Sequence, residues 1–157
     1  MFFARLLLLS ICLMGFASGQ TRLPADEVES LKVIGRSLGK TWNFSVDPCS
    51  GLSGWATQNP DKGFENAVNC SCTYDNNSTC HVVSIEIQAS GLAGPIPSAI
   101  ASLTNLTDLR ISDLNGNEST FPPDLSNIRN LETLILRSCN IVGELPKYLG
   151  GMTGLKT

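Results

Sequence analysis

Four cysteines, Cys49, Cys70, Cys72 and Cys80, fall within one segment, and four thiols so placed have two chemistries open to them. They can hold zinc or oxidise to disulfides. A zinc set wants paired ligands at short spacing. No C-x-x-C pair occurs, and the sole histidine, His81, abuts Cys80, so no metal site is expected. Oxidation allows three pairings. Bridging Cys70 to Cys72 would close a strained three-residue ring, which leaves two. The favoured set is Cys49–Cys70 with Cys72–Cys80, the second closing a hairpin over Tyr74 to Ser78. The acids, the lone histidine and the scattered serines form no triad or carboxylate pair by spacing, so no catalytic residue and no cofactor are expected.

The N-terminus agrees with an oxidising compartment. Arg5 precedes the apolar run LLLLSICLMGFA, and Ala17-Ser18-Gly19 are small. A basic start, a short apolar run and a small-residue exit read as a cleaved signal peptide over 1–19, which would remove Cys12. The run is short for a membrane span of about 20 residues, and nothing later is long or apolar enough. Six N-x-S/T sequons, Asn43, Asn69, Asn76, Asn77, Asn105 and Asn117, are glycosylation candidates on an exported chain, with Asn43 and Asn117 the better placed. The formal net charge is −3, and losing Arg5 makes it one unit more negative. That mild acidity disfavours nucleic acid, which wants a clustered basic face.

Positioning elements are legible in a 24–25-residue repeat. The copy from Val82 reads V-x-x-I-x-I-x-x-S-x-L-x-G-x-I-P, and the copy from Leu131 reads L-x-x-L-x-L-x-x-C-x-I-x-G-x-L-P. Such a period with L-x-x-L-x-L-x-x-N/C-x-L is the signature of leucine-rich repeats. Copies run 82–105, 106–130 and 131–154, with a fourth opening at Leu155, so 82–157 is expected to be one repeat stack. Ile85/Ile87, Leu109/Ile111 and Leu134/Leu136 are the alternating strand cores. Ile100/Leu103, Leu125/Ile128 and Leu149/Met152 suit a 3-10 back rather than a long helix, because Pro97, Pro122, Pro123 and Pro146 interrupt it. Cys139 takes the inward asparagine position of its copy, matched by Ser90 and Leu114, and is expected to be buried and inert. Leu114 breaks that ladder, and 115–120 is expected to be the least regular loop.

A solenoid end needs an atypical cover. Residues 20–81 are expected to be that cap: a helix opened by Leu23-Pro24-Ala25-Asp26-Glu27, with Val28, Leu31, Ile34 and Leu38 as its apolar face and Gly39 as its stop. Trp42, Phe44, Trp55 and Phe64 follow in loop-rich sequence, more suited to sealing the core than to binding carbohydrate. The fold class is therefore an α/β repeat solenoid: a helical, disulfide-bonded cap followed by a short stack with a parallel sheet on its concave face. The side chains between the strand cores form lateral rows there: Ser84, Glu86 and Gln88; Asp108, Arg110 and Ser112; Thr133, Ile135 and Arg137. These nine are the candidate ligand contacts.

The strings LPADEVESLKVIG, TWNFSVDPCSG, GFENAVNCSC, CHVVSIEI, RISDLNG and LILRSCNIVGELP resemble the ectodomain start of plant leucine-rich-repeat receptor-like serine/threonine kinases. The resemblance is narrower to the subfamily that adds a malectin-like domain after the repeats. It covers residues 20–157 and implies a single-pass cell-surface receptor with an inner kinase. The 157 residues contain no G-x-G-x-x-G, V-A-I-K, H-R-D or D-F-G, so this chain is expected to be a non-enzymatic fragment of the recognition region. Its expected partners are a protein, peptide or carbohydrate ligand and a co-receptor, outside the cell or at its surface. The alternatives are a secreted inhibitor of the polygalacturonase-inhibiting type, which needs a longer concave face and a C-terminal cysteine cap, and a structural spacer. Leu149, Met152 and Leu155 are expected to leave an uncovered apolar end.

Overall fold

The structure, a computed structural model, describes residues 23–59, 61, 65–92, 94–114 and 116–156, with side chains of 89–92 left aside. The expected leader 1–19, Cys12, Phe64, Asn115 and the side chain of Ser90 lie outside that set. The chain opens with α1 (Ala25–Leu38), stopped by Gly39 in the left-handed region at φ 69°. Leu31, Ile34 and Leu38 are fully buried, and Val28 packs at the margin.

Four strands form one sheet in the order β1 (Asn66–Tyr74), β2 (Thr79–Leu92), β3 (Asp108–Leu114) and β4 (Thr133–Arg137). β1 pairs with β2 antiparallel; β2, β3 and β4 are mutually parallel. β1 follows the stretch expected to be loop-rich and forms one arm of the hairpin expected over Tyr74 to Ser78, and its pairing joins cap and repeats in one sheet. Its own sequence alternates poorly, so β2 supplies the pattern that makes it a strand.

Each parallel strand returns through a five-residue 3-10 turn: Ser98–Ser102, Pro123–Asn127 and Lys147–Gly151. Pro97, Pro122 and Pro146 precede them with φ between −59° and −74°, the fixed value of the pyrrolidine ring. Each turn closes identically, with the N–H of Leu103, Ile128 and Met152 donating to the carbonyl three residues back. Ile100, Leu103, Leu125 and Ile128 are fully buried, at roughly 1.5–3 kcal/mol of transfer free energy per side chain. Leu149 and Met152 are only partly buried.

A backbone ladder ties copy to copy. Thr107 N–H donates to Val83 O, Glu132 N–H to Thr107 O and Lys156 N–H to Glu132 O, each at 2.8 Å. Glycines set the other contact. A Cβ on Gly94 (φ 122°) would stand 2.2 Å from Ser37 O at the end of α1, and one on Gly116 would stand 2.4 Å from Gly94 N. The loop expected to be irregular is thereby held close, and Ser119 beyond it forms a parallel bridge with Ile141.

Candidate functional site

The sheet register brings the candidate side chains into three rows. Ser84, Asp108 and Thr133 lie abreast, then Glu86, Arg110 and Ile135, then Gln88, Ser112 and Arg137. Strand neighbours about 4.8 Å apart interact directly. Arg110 Nε and Nη2 donate to the two Asp108 carboxylate oxygens at 2.9 and 2.8 Å, and Nε lies 3.5 Å from Glu86. The Asp108 hydrogen bonds and charge, helped by Glu86 and Glu65, hold the Arg110 guanidinium above its ordinary pKa. Arg137 reaches Asp113 at 3.9 Å.

Eight of the nine expose some surface, and one does not. Ser112 is 1% exposed, so it offers nothing to a ligand. Its short side chain lies between Gln88 and Arg137, both longer, on the flanking strands. Gln88 is half-buried, and its Oε1 has no hydrogen-bond partner among the described residues. Ile135 is 42% exposed, an apolar group beside the charged centre of the face.

The cysteines pair Cys49–Cys70 and Cys72–Cys80, the second spanning the β1–β2 hairpin. Cys139 is free and buried, its Sγ within hydrogen-bond reach of Ile111 O (3.3 Å) and Arg137 O (3.2 Å). Burial pushes its thiol pKa up. Asn43, Asn69, Asn76, Asn77 and Asn117 are exposed, and Asn105 is half-buried. Asn43 Oδ1 accepts from Ser45 N–H and Oγ–H. No group of metal-ligating side chains occurs among the described residues, and none of their helices is long and apolar enough to cross a membrane.

The sequence reading missed two features. Glu27, which the sequence places only among the residues opening the helix, is 4% exposed; its carboxylate accepts the Val82 N–H and contacts His81 Nδ1. The helical period gives it away, because 27, 31, 34 and 38 form one stripe. Lys40 and Asn66, joined at 2.7 Å beside Trp42, line a cap pocket that no sequence pattern announces.

This geometry defines a disulfide-capped leucine-rich-repeat solenoid with a polar strand face. No family model matches the chain. It is 55% identical, over 146 residues and 91% of its length, to a probable LRR receptor-like serine/threonine-protein kinase of Arabidopsis thaliana, of which it spans 14%. A second such Arabidopsis kinase is 38% identical over 127 residues, covering 76% of this chain and 12% of that protein. The chain thus covers about a seventh of the length of these curated relatives, which are LRR receptor-like serine/threonine kinases. Among solved structures, the LRR ectodomain of the Arabidopsis receptor kinase SOBIR1 superposes with a TM-score of 0.64 at 21% identity, over 87% of this chain and 66% of that one. A plant ice-binding protein reaches 0.61 at 23% identity, over 86% and 39%. Those two likenesses establish the fold.

Proposed function

We propose that this chain is the N-terminal part of the extracellular recognition region of a leucine-rich-repeat receptor-like serine/threonine kinase at the cell surface, of the subfamily carrying a malectin-like domain. It is non-catalytic. Residues 20–81 cap the stack, 82–157 begin it, and the strand face takes a peptide, protein or cell-wall ligand, with a co-receptor as second partner. The observation that carries this reading is the middle row. Ile135 exposes an apolar group beside Arg110, and arginine is among the residue types in which interface binding energy concentrates. Long similarity to receptor-like kinases supports the receptor context.

The test is site-specific photo-crosslinking of the full chain, secreted from plant cells. A photoreactive residue at Ile135 should give a discrete adduct with a secreted peptide, protein or wall fragment, and one at Lys147, on the opposite arm of its repeat, should not. Equal adducts from both positions would overturn the proposal.

A further inference from the structure

A polar pocket of about 420 Å³ lies in the cap, away from the strand-face rows, between the segment after α1 and the loop entering β1. Its size falls within the range of small-molecule sites, about 300–1,000 Å³. Hydrogen bonds and ring stacking hold its indole wall. Trp55 is 2% exposed, its indole N–H donating to Asn43 O (3.2 Å) and Val46 O (3.0 Å). Trp42 stacks on it at 5.2 Å. Thr57 N–H to Asn66 O (2.7 Å) and Val68 N–H to Trp55 O (2.9 Å) bind the loop along β1.

Lys40 supplies the charge. Its ammonium donates to Asn66 Oδ1 at 2.7 Å, yet no carboxylate lies within ion-pair distance of it among the described residues. Lys32, Arg36, Arg110, Arg137 and Lys156 each have one, and Arg129 and Lys147, which also lack one among the described residues, are exposed to water, whereas Lys40 is half-buried. An ammonium has three donors, so two remain. Burial pushes the Lys40 pKa down, as expected of a partly desolvated, uncompensated cation. An anion in the pocket would relieve that cost. The remaining polar lining is hydroxyl and amide, from Thr41, Ser53, Thr57 and Gln58, whose Nε2 already donates to Gly51 O at 3.0 Å, beside indole. Indole packs against the C–H face of a pyranose, hydroxyls and amides answer its hydroxyls, and a single ammonium answers a single carboxylate. A phosphate dianion carries more charge and more acceptor oxygens than a carboxylate, and Lys40 is the one cation among the lining residues.

We propose that the cap pocket binds a uronic-acid residue of an acidic oligosaccharide, with Lys40 on the sugar carboxylate and the part-exposed Trp42, backed by buried Trp55, walling the ring. This site is separate from the strand face and stands or falls without it.

Calorimetric titration of the full chain, secreted from a eukaryotic host, tests it with four probes: trigalacturonate, its methyl ester, a glucuronate-bearing trisaccharide and neutral galactotriose. At least one acid should bind, and about tenfold more tightly than the ester and the neutral sugar; the tighter acid names the source polymer. Lys40→Gln should lose about tenfold in affinity at an unchanged unfolding midpoint, Lys40→Arg should keep most of it, and Arg110→Ala on the strand face should bind as wild type. No binding of either acid at millimolar concentration overturns the proposal. So does Lys40→Gln binding as wild type, ester binding equal to acid, or loss in Arg110→Ala. If Lys40→Gln fails to fold, unreduced acid binding by Lys40→Arg together with ester discrimination upholds the assignment, and its absence sinks it.

Discussion

Glu27, in the first turn of α1, accepts the backbone N–H of Val82 at 2.8 Å across 55 residues of chain. Val82 opens the first repeat and is fully buried, so this carboxylate latches the cap helix to the start of the stack. The second oxygen contacts His81 Nδ1, and the His81 ring meets Tyr74 edge-on at 4.6 Å. Hydrogen bonds to a charged acceptor are worth roughly 1.5–3 kcal/mol, and a buried donor left without a partner costs about 1–3 kcal/mol. Glu27→Ala is therefore expected to destabilise by about 2–4 kcal/mol in urea unfolding. Glu27→Gln, which keeps an acceptor for Val82, should cost less. Equal losses from both would mean that the charge, not the Val82 bond, holds the latch.

The thiols give a second expectation. Mass mapping of the secreted chain under native conditions should find Cys49, Cys70, Cys72 and Cys80 all bridged, with Cys139 alkylated only after unfolding. Burial raises the folded Cys139 pKa above its unfolded value. Its contribution to stability is then complete below the ordinary thiol range near about 8.5 and is lost as pH rises through it toward the raised value. Cys139→Ala should cost about 1–3 kcal/mol and flatten that alkaline loss. An unchanged alkaline slope in the variant would assign the loss to another group.

Gly94 and Gly143 occupy the same place in their repeats but not the same surroundings. Both have positive φ, 122° and 95°, and such strain costs a non-glycine residue of order 1–3 kcal/mol. Only Gly94 meets backbone, 2.2 Å from Ser37 O, whereas a Cβ on Gly143 would meet just Thr120 Cγ2 at 4.0 Å. Gly94→Ala should therefore destabilise by several kcal/mol, well beyond Gly143→Ala at about 1–3 kcal/mol. Matching losses in thermal unfolding would show that the approach of Gly94 to α1 relaxes freely.

The sequence made some elements legible and hid others for physical reasons. The strand cores of the repeats and their 3-10 backs announce themselves, because each copy repeats the same burial problem and Pro97, Pro122 and Pro146 mark its return arm. Cys139 was readable from its ladder position alone. β1 was legible only at its hairpin end, closed by Cys72–Cys80, since Asn66–Tyr74 carries only Ala67, Val68 and Tyr74 as apolar residues outside its cysteines, and its extended form depends on pairing with β2. Glu27 was misread because a charge at a helix start has an easy surface explanation, and only its register with Leu31, Ile34 and Leu38 argues otherwise. The strand-face rows follow from period and pleat, yet the burial of Ser112 depends on how long its neighbours Gln88 and Arg137 are.

Arg110 separates stability from recognition on that face. Its side chain is 40% exposed and is held by Asp108 on its own strand and by Glu86 across the sheet. Ion pairs this open to water contribute about 0–1 kcal/mol, screened further by salt. Arg110→Ala should thus lower stability by less than about 1 kcal/mol, with the loss shrinking as ionic strength rises. It also leaves Asp108 and Glu86 uncompensated beside Ile135, turning the middle of the face acidic. A partner seated on Ile135 would bury Arg110 and then meet repulsion where it had met a guanidinium, and truncating one partner of a buried, hydrogen-bonded charge pair at an interface costs about 2–5 kcal/mol. Crosslinking from position 135 should therefore fall at least tenfold in the Arg110→Ala background while thermal unfolding barely moves. A drop in stability of several kcal/mol would instead make Arg110 a brace of the sheet, and undiminished crosslinking would place the partner elsewhere.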